Sequence, residues 1–100
     1  MTEGRINLRC DEALAQAQQL RAQAASLEDA KRQLERELEE LESYWEGEES
    51  RVFAQKARQR MNKMQGTSKR LHDLAEAITK TAQIYRRNEL AKLAAAKSRR

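Results

Sequence analysis

Residues 34–57 read LERELEELESYWEGEESRVFAQKA, and this stretch decides the fold. Leucines recur in it every three or four residues up to Trp45, a spacing typical of one face of a helix. The pattern stops at Gly47, a residue that can adopt the left-handed backbone conformation in which helices end. Two glutamates follow at once, where the partial positive charge of a new helix favours carboxylates. The stretch therefore predicts a helix, a reversal at residues 45–47 and a second helix.

One long apolar stripe extends back from the turn through the first half of the chain. Positions spaced alternately by four and three residues from Ile6 to Trp45 are apolar in eleven of twelve cases, with Lys31 as the exception. A repeat of 3.5 residues is the signature of helices that pack side by side. With Asn7 as N-cap, we predict helix one over about 8–44. The stripe residues expected in the core or at a dimer contact are Leu20, Leu27, Leu34, Leu38 and Leu41.

The second half of the chain repeats this pattern, and we predict helix two over about 48–93. Gly66 lies within it and lowers helix stability by about 1 kcal/mol relative to alanine, which is too little to break a long helix. We expect the basic tail, residues 94–100, to be frayed. The stripe expected in the core or at a dimer contact consists of Phe53, Met64, Leu71, Leu74 and Ile78, and it is widened by Met61, Ala75 and Ala82.

The composition favours an all-α protein with a single domain over residues 1–100. The chain has no proline, three glycines and only 4% aromatic residues. Two long helices alone leave much apolar surface in water, so we predict that the hairpin of two antiparallel helices dimerises into an antiparallel four-helix bundle. Residues 1–47 carry a net charge of −5 and residues 48–100 a net charge of +9, which suits the pairing of acidic with basic helices.

The sequence lacks the residues that several classes of functional site need. One cysteine, Cys10, and one histidine, His72, cannot form a disulfide, a typical structural zinc site or a nucleophile–base pair. We therefore predict no enzyme, no cofactor and no small-molecule substrate. Basic pairs such as Lys69-Arg70 admit a nucleic-acid partner, but they are scattered around the helix without an aromatic platform, so we disfavour it. The polar N-terminal residues and the lack of a long apolar run predict no cleaved signal peptide and no transmembrane helix.

Two short motifs give the chain a family resemblance. The tripeptide Trp45-Glu46-Gly47, at the middle of about one hundred residues, resembles the turn of the WXG-100 family, and Phe53 resembles the aromatic residue early in that family's second helix. The segment from Tyr85 to Glu89 is similar to the family's Tyr-x-x-x-Asp/Glu export signal. Tyr44 and Glu48 match the same pattern. Tyr85 is favoured only because it lies late in helix two.

The resemblance implies both a function and a set of partners. Proteins of the WXG-100 family are made in the bacterial cytoplasm, form helical-hairpin dimers with themselves or with a related WXG-type protein, and leave the cell folded. A membrane-bound FtsK/SpoIIIE-type ATPase of the type VII (ESX) system recognises them. The resemblance therefore predicts a non-enzymatic secreted protein, acting as a virulence-associated effector or as the co-secreted partner of a larger toxin. An intracellular coiled-coil adaptor is the alternative, although it gives no reason for the Trp-x-Gly turn.

The distance between the two motifs suggests how they act together. The 40 residues from Trp45 to Tyr85 correspond to about 55–60 Å of helix. The two motifs therefore fall near opposite ends of one hairpin, whereas an antiparallel dimer sets Tyr85 of one chain near Trp45 of the other. We hypothesise that the export surface forms only in the dimer.

Overall fold

The computed structural model describes residues 2–99 and contains two helices, α1 (Glu3–Glu42) and α2 (Glu48–Ser98). No strand occurs within residues 2–99. The prediction of an all-α hairpin of two long helices is confirmed. Neither helix, over these residues, has a segment that is both long enough and apolar enough to cross a lipid bilayer.

Helix α1 begins earlier than the sequence predicts, and Asn7 is not its N-cap. The hydroxyl of Thr2 accepts a hydrogen bond from the backbone N–H of Arg5 at 3.2 Å, and the Thr2 carbonyl accepts one from Ile6 at 3.1 Å. Thr2 is therefore the capping residue. Because Ile6 is only 1% exposed, the extra turn also adds a buried side chain to the helix pair.

Helix α2 extends further than predicted, since residues 94–98 of the expected frayed tail are helical. Three alanines at 94–96 have the highest helix propensity of any residue, and Leu93 is half-buried. The hydroxyl of Ser98 donates to the carbonyl of Ala95 at 3.0 Å within the last turn. Gly66 does not interrupt the helix. Arg100 lies outside the described residues.

Contacts within the chain form two compact units, each of which pairs a segment of α1 with a segment of α2. The terminal unit comprises residues 2–21 and 72–99, and the turn unit comprises residues 22–71. In the terminal unit the buried apolar residues are Ile6, Cys10, Ala17, Ala75 and Ala82. In the turn unit they are Ala24, Leu38, Ala54, Ala57 and Met61.

The buried residues of α2 that face α1 form its contact line. This contact line is shifted by one position from the predicted stripe. Phe53 is 47% exposed and Leu74 is 51% exposed, whereas Ala75 and Met61, which were expected only to widen the stripe, are buried. Small residues lie at the centre because they let the two helix backbones approach closely. Ser68 joins them at 1% exposure because its hydroxyl donates to the Ala24 carbonyl at 3.3 Å and to Glu28 at 2.8 Å.

Candidate functional site

The turn between the helices reverses the chain within a few residues. The backbone N–H of Trp45 donates to the carbonyl of Leu41 at 2.9 Å and closes the last turn after α1. Gly47 has a φ of +112°, the one positive φ among residues 2–99. Its carbonyl accepts the first hydrogen bond of α2, from Arg51 at 3.2 Å, so α2 starts directly from the reversal.

Two contacts fix the position of Trp45 against the second helix. Its ring lies 5.6 Å from the ring of Phe53, centroid to centroid, with the planes tilted by 55°. Its carbonyl accepts a hydrogen bond from the hydroxyl of Ser50 at 2.9 Å, and Ser50 is buried. Trp45 is half-buried and Glu46 is exposed. The motif therefore presents one side of the indole ring and one carboxylate to solvent.

Alanine substitutions of Gly47 in the turn and Gly66 in α2 test how the chain reverses. Gly47→Ala is expected to destabilise the protein by about 1–2 kcal/mol, because an L-residue at this positive φ is strained. Gly66→Ala is expected to stabilise it by about 0.4–1 kcal/mol, because the site is helical and an added Cβ meets no atom within 4 Å. Urea denaturation at one protein concentration measures the change in the free energy of unfolding for each variant. Changes of the same sign in both variants would contradict this description of the turn.

Tyr85 and Glu89 lie in the terminal unit, both half-buried. Tyr85 borders an open groove of about 460 Å³ whose other walls include Cys10 and Ala13 of α1. Glu89 borders a smaller groove beside Ile6 and forms an ion pair with Lys92 at 3.4 Å. Being one helical turn apart, the two side chains share a face of α2. That face is turned partly toward α1, so it is less accessible than a signal on the outer surface.

Cys10 makes a polar contact that the sequence analysis did not predict. Its thiol donates to the carbonyl of Ala82 at 3.4 Å, and its sulfur accepts hydrogen bonds from Arg86 Nε at 3.2 Å and Nη2 at 2.9 Å. The hydrogen bond to the Cys10 sulfur, with a smaller contribution from the Asp11 carboxylate, raises the pKa of the Arg86 guanidinium. Because 76 residues separate Cys10 from Arg86, no local sequence signal indicates this contact.

One side of the helix pair carries polar contacts between the helices in each unit. In the turn unit, Arg58 contacts Glu42 at 2.8 Å and Lys31 contacts Gln65 at 3.0 Å. In the terminal unit, Arg21 donates to the hydroxyl of Thr79 at 3.1 Å. Positions 58, 65 and 79 follow a seven-residue repeat, which keeps them on one side of α2.

In each unit, the other side of the helix pair is apolar, and the residues on it are called the apolar flank. Its residues also recur every seven positions, on the opposite side of the contact line. Nine of its ten residues are half-buried and one, Ala57, is buried, so the flank leaves apolar surface in contact with solvent. The apolar flank consists of Ala13, Leu20, Leu27, Leu34 and Leu41 on α1, and of Ala57, Met64, Leu71, Ile78 and Tyr85 on α2.

The features of the chain match those of a known family of small proteins. The family model WXG100, described as proteins of 100 residues with WXG, matches residues 5–90. The chain belongs to this family, which confirms the resemblance drawn from the turn motif. No curated protein and no solved structure matches the chain significantly.

Membership of the family carries general properties with it. WXG100 proteins are small helical proteins, generally without enzymatic activity, and the family consists of secreted proteins of the ESX type that commonly pair with themselves or with relatives. Within residues 2–99, no group of three His, Cys, Asp or Glu side chains is arranged to hold a metal ion. The candidate functional surfaces are the turn motif, the segment around Tyr85 and the apolar flank.

Proposed function

We propose that this protein is a substrate of a bacterial type VII (ESX) secretion system, exported without a cleaved signal peptide as an effector or as the partner of a larger secreted toxin. The observation that carries the proposal is the family match over residues 5–90 together with a Trp-Glu-Gly turn placed between the two helices. In this proposal the protein has no catalytic role, and an FtsK/SpoIIIE-type membrane ATPase is its receptor.

The candidate functional surfaces are suited to binding other proteins. In each unit the apolar flank offers mostly half-buried side chains at a seven-residue repeat, which is the kind of surface that a further helix pair covers in a four-helix bundle. The turn offers Trp45 and Glu46 for recognition, and the terminal unit offers Tyr85 and Glu89. A partner that covers the apolar flank is either a second copy of the chain or a related WXG-type protein.

Export is tested by comparing culture supernatants of the source bacterium with and without its secretion ATPase. The expected result is that the protein accumulates in the parent supernatant at full length and stays in the cells of the ATPase mutant. A cytoplasmic protein of the same cells serves as the lysis control. Retention of the protein in the cells of both strains would overturn the proposal and favour an intracellular coiled-coil adaptor.

The two recognition motifs belong to different units, with Trp45 in the turn unit and Tyr85 in the terminal unit. We propose that the ATPase reads both together and that an antiparallel dimer supplies them side by side, Trp45 from one chain and Tyr85 from the other. A variant held monomeric is then expected to remain in the cells. Its export at the parent's level would contradict the shared surface while leaving type VII export itself intact.

A further inference from the structure

We propose that the start of α1, residues 3–13, covers the export segment of the same chain, and that the secretion receptor binds fully only after residues 3–13 unwind and move aside. These residues, about three helical turns, are called the N-terminal cover, and the export segment is residues 85–89. The inference rests on the proposed function and adds to it how access to the signal is controlled.

Both signal side chains of the export segment face the N-terminal cover. Tyr85 lines a groove together with Cys10, and Glu89 lines a second groove together with Ile6. The side chain of Glu89 is 27% exposed, whereas that of its ion-pair partner Lys92 is 75% exposed. A carboxylate enclosed to this extent offers a receptor only part of its surface. A receptor that binds both signal residues therefore competes with α1 for this face of α2.

The contacts that hold the N-terminal cover lie on either side of Glu89 along α2. On one side, Arg86 donates from Nε and Nη2 to the sulfur of Cys10, at 3.2 Å and 2.9 Å. On the other side, Ile6 lines its groove together with Leu93. Ile6 and Cys10 are each 1% exposed. The cover is thus packed on α2 at the level of the export segment itself.

The N-terminal cover has the features of a segment that opens locally. Of its eleven residues, Ile6 and Cys10 are buried and the others are half-buried or exposed. Gly4 lies in its first turn, and glycine weakens a helix relative to alanine. Segments with few buried apolar contacts open while the rest of a protein stays folded. The cover can therefore unwind without unfolding the turn unit.

The last turns of α2 contribute to the hold on the N-terminal cover. The family model matches residues 5–90, whereas α2 continues to Ser98. Leu93, which shares a groove with Ile6, is half-buried and lies beyond the matched residues. Part of the hold on the cover is thus outside the region that this chain shares with the family model.

The thiol of Cys10 provides a direct probe of the N-terminal cover. Cys10 is the only cysteine in the sequence, and its side chain is buried. A maleimide reacts with this thiol only while it is exposed, so the labelling rate of the full chain under native conditions follows the fraction of molecules with an open cover. Labelling of the urea-unfolded protein gives the rate for the fully exposed thiol.

Gly4→Ala and Gly66→Ala form a matched pair of variants. Both glycines lie in helices, and at neither position does an added Cβ meet an atom of the described residues within 4 Å. Gly4→Ala is expected to slow labelling about two- to fivefold, because it stabilises the cover in its helical form. Gly66→Ala, in the turn unit, is expected to leave the labelling rate unchanged.

Ile6→Ala and Leu38→Ala form a second pair, which weakens the two units separately. Each variant truncates a buried aliphatic side chain, and Leu38 belongs to the turn unit. Ile6→Ala is expected to speed labelling by about tenfold or more, and Leu38→Ala by less than about twofold. Equal acceleration by the two variants, or equal slowing by Gly4→Ala and Gly66→Ala, would overturn the inference. Such results would mean that the thiol is exposed only when the whole hairpin unfolds.

Secretion by the source bacterium tests whether the N-terminal cover controls access to the signal. The initial rate of secretion is expected to fall about two- to fivefold for Gly4→Ala, because fewer molecules are open to the receptor, and to stay unchanged for Gly66→Ala. Equal secretion of the parent and both variants, despite slower labelling of Gly4→Ala, would overturn the inference and leave type VII export standing. A parent protein that stays in the cells would overturn the proposed function and, with it, the role of the cover.

Discussion

Ala24→Leu is expected to destabilise the hairpin by about 1–3 kcal/mol, the typical cost of forcing extra carbons into a close-packed contact. Ala24 is 0% exposed, and its carbonyl accepts the hydrogen bond from Ser68 at 3.3 Å. A leucine there pushes α2 away from α1 and disrupts the contacts of the Ser68 hydroxyl with Ala24 and Glu28, both of which join the two helices. For a domain of this size, each kcal/mol lowers the melting temperature by about 4–8 °C.

The neighbouring alanine provides the control. Ala25 is exposed on the same turn of α1, so Ala25→Leu makes the same substitution away from the contact line. Leucine has nearly the helix propensity of alanine, and the expected change is within about 0.5 kcal/mol. Thermal unfolding of both variants is compared at one protein concentration. Equal melting temperatures would show that Ala24 does not lie between the two helices.

Glu89→Gln is expected to reduce secretion of the protein roughly tenfold or more, which corresponds to losing about 1.4 kcal/mol of receptor binding. The substitution keeps the size of the side chain and removes its charge. Its ion pair joins the half-buried carboxylate to the exposed Lys92 and contributes about 0–1 kcal/mol, so the fold is retained. The protein is measured in supernatants and in cells, with melting temperature as the check on folding.

Glu48→Gln is the matched control for this experiment. Glu48 follows Tyr44 by four residues, as Glu89 follows Tyr85, and it pairs with Arg51 three residues later at 2.8 Å. The two glutamates thus share their sequence pattern and differ in their position in the fold. We expect normal secretion of Glu48→Gln. Equal secretion of both variants would remove Glu89 from the export signal.

The turn was predictable from sequence because its causes are local. A glycine after the last leucine of the stripe, followed by two glutamates, specifies where α1 stops and α2 starts. The ends of the chain were less predictable, since the cap at Thr2 depends on whether Ile6 has a helix to pack against. Ile6 lines a groove with Leu93 and Ala96 of α2, more than eighty positions later, and no local pattern shows this.

The shifted contact line of α2 had a different cause. Periodicity identifies which residues share a face, but it does not give the distance between two helices. At close approach, Ala75 and Ser68 occupy the centre and Leu74 is displaced to the side. The Cys10–Arg86 contact and the hydrogen bonds Arg21–Thr79 and Lys31–Gln65 escaped prediction for the same reason, because they depend on which residues of two helices lie at the same level.

The order of contacts along the chain has a kinetic consequence. The turn unit joins residues that are 16 to 44 positions apart, as in Arg58–Glu42 and Ser68–Ala24, whereas Cys10 and Ala82 in the terminal unit are 72 apart. The entropy lost in closing a loop grows with its length, so the turn unit closes first and the chain ends join last. Fraying starts from those ends. A receptor that binds at Glu89 therefore acts on the part of the hairpin that separates first, while the contacts near the turn still hold.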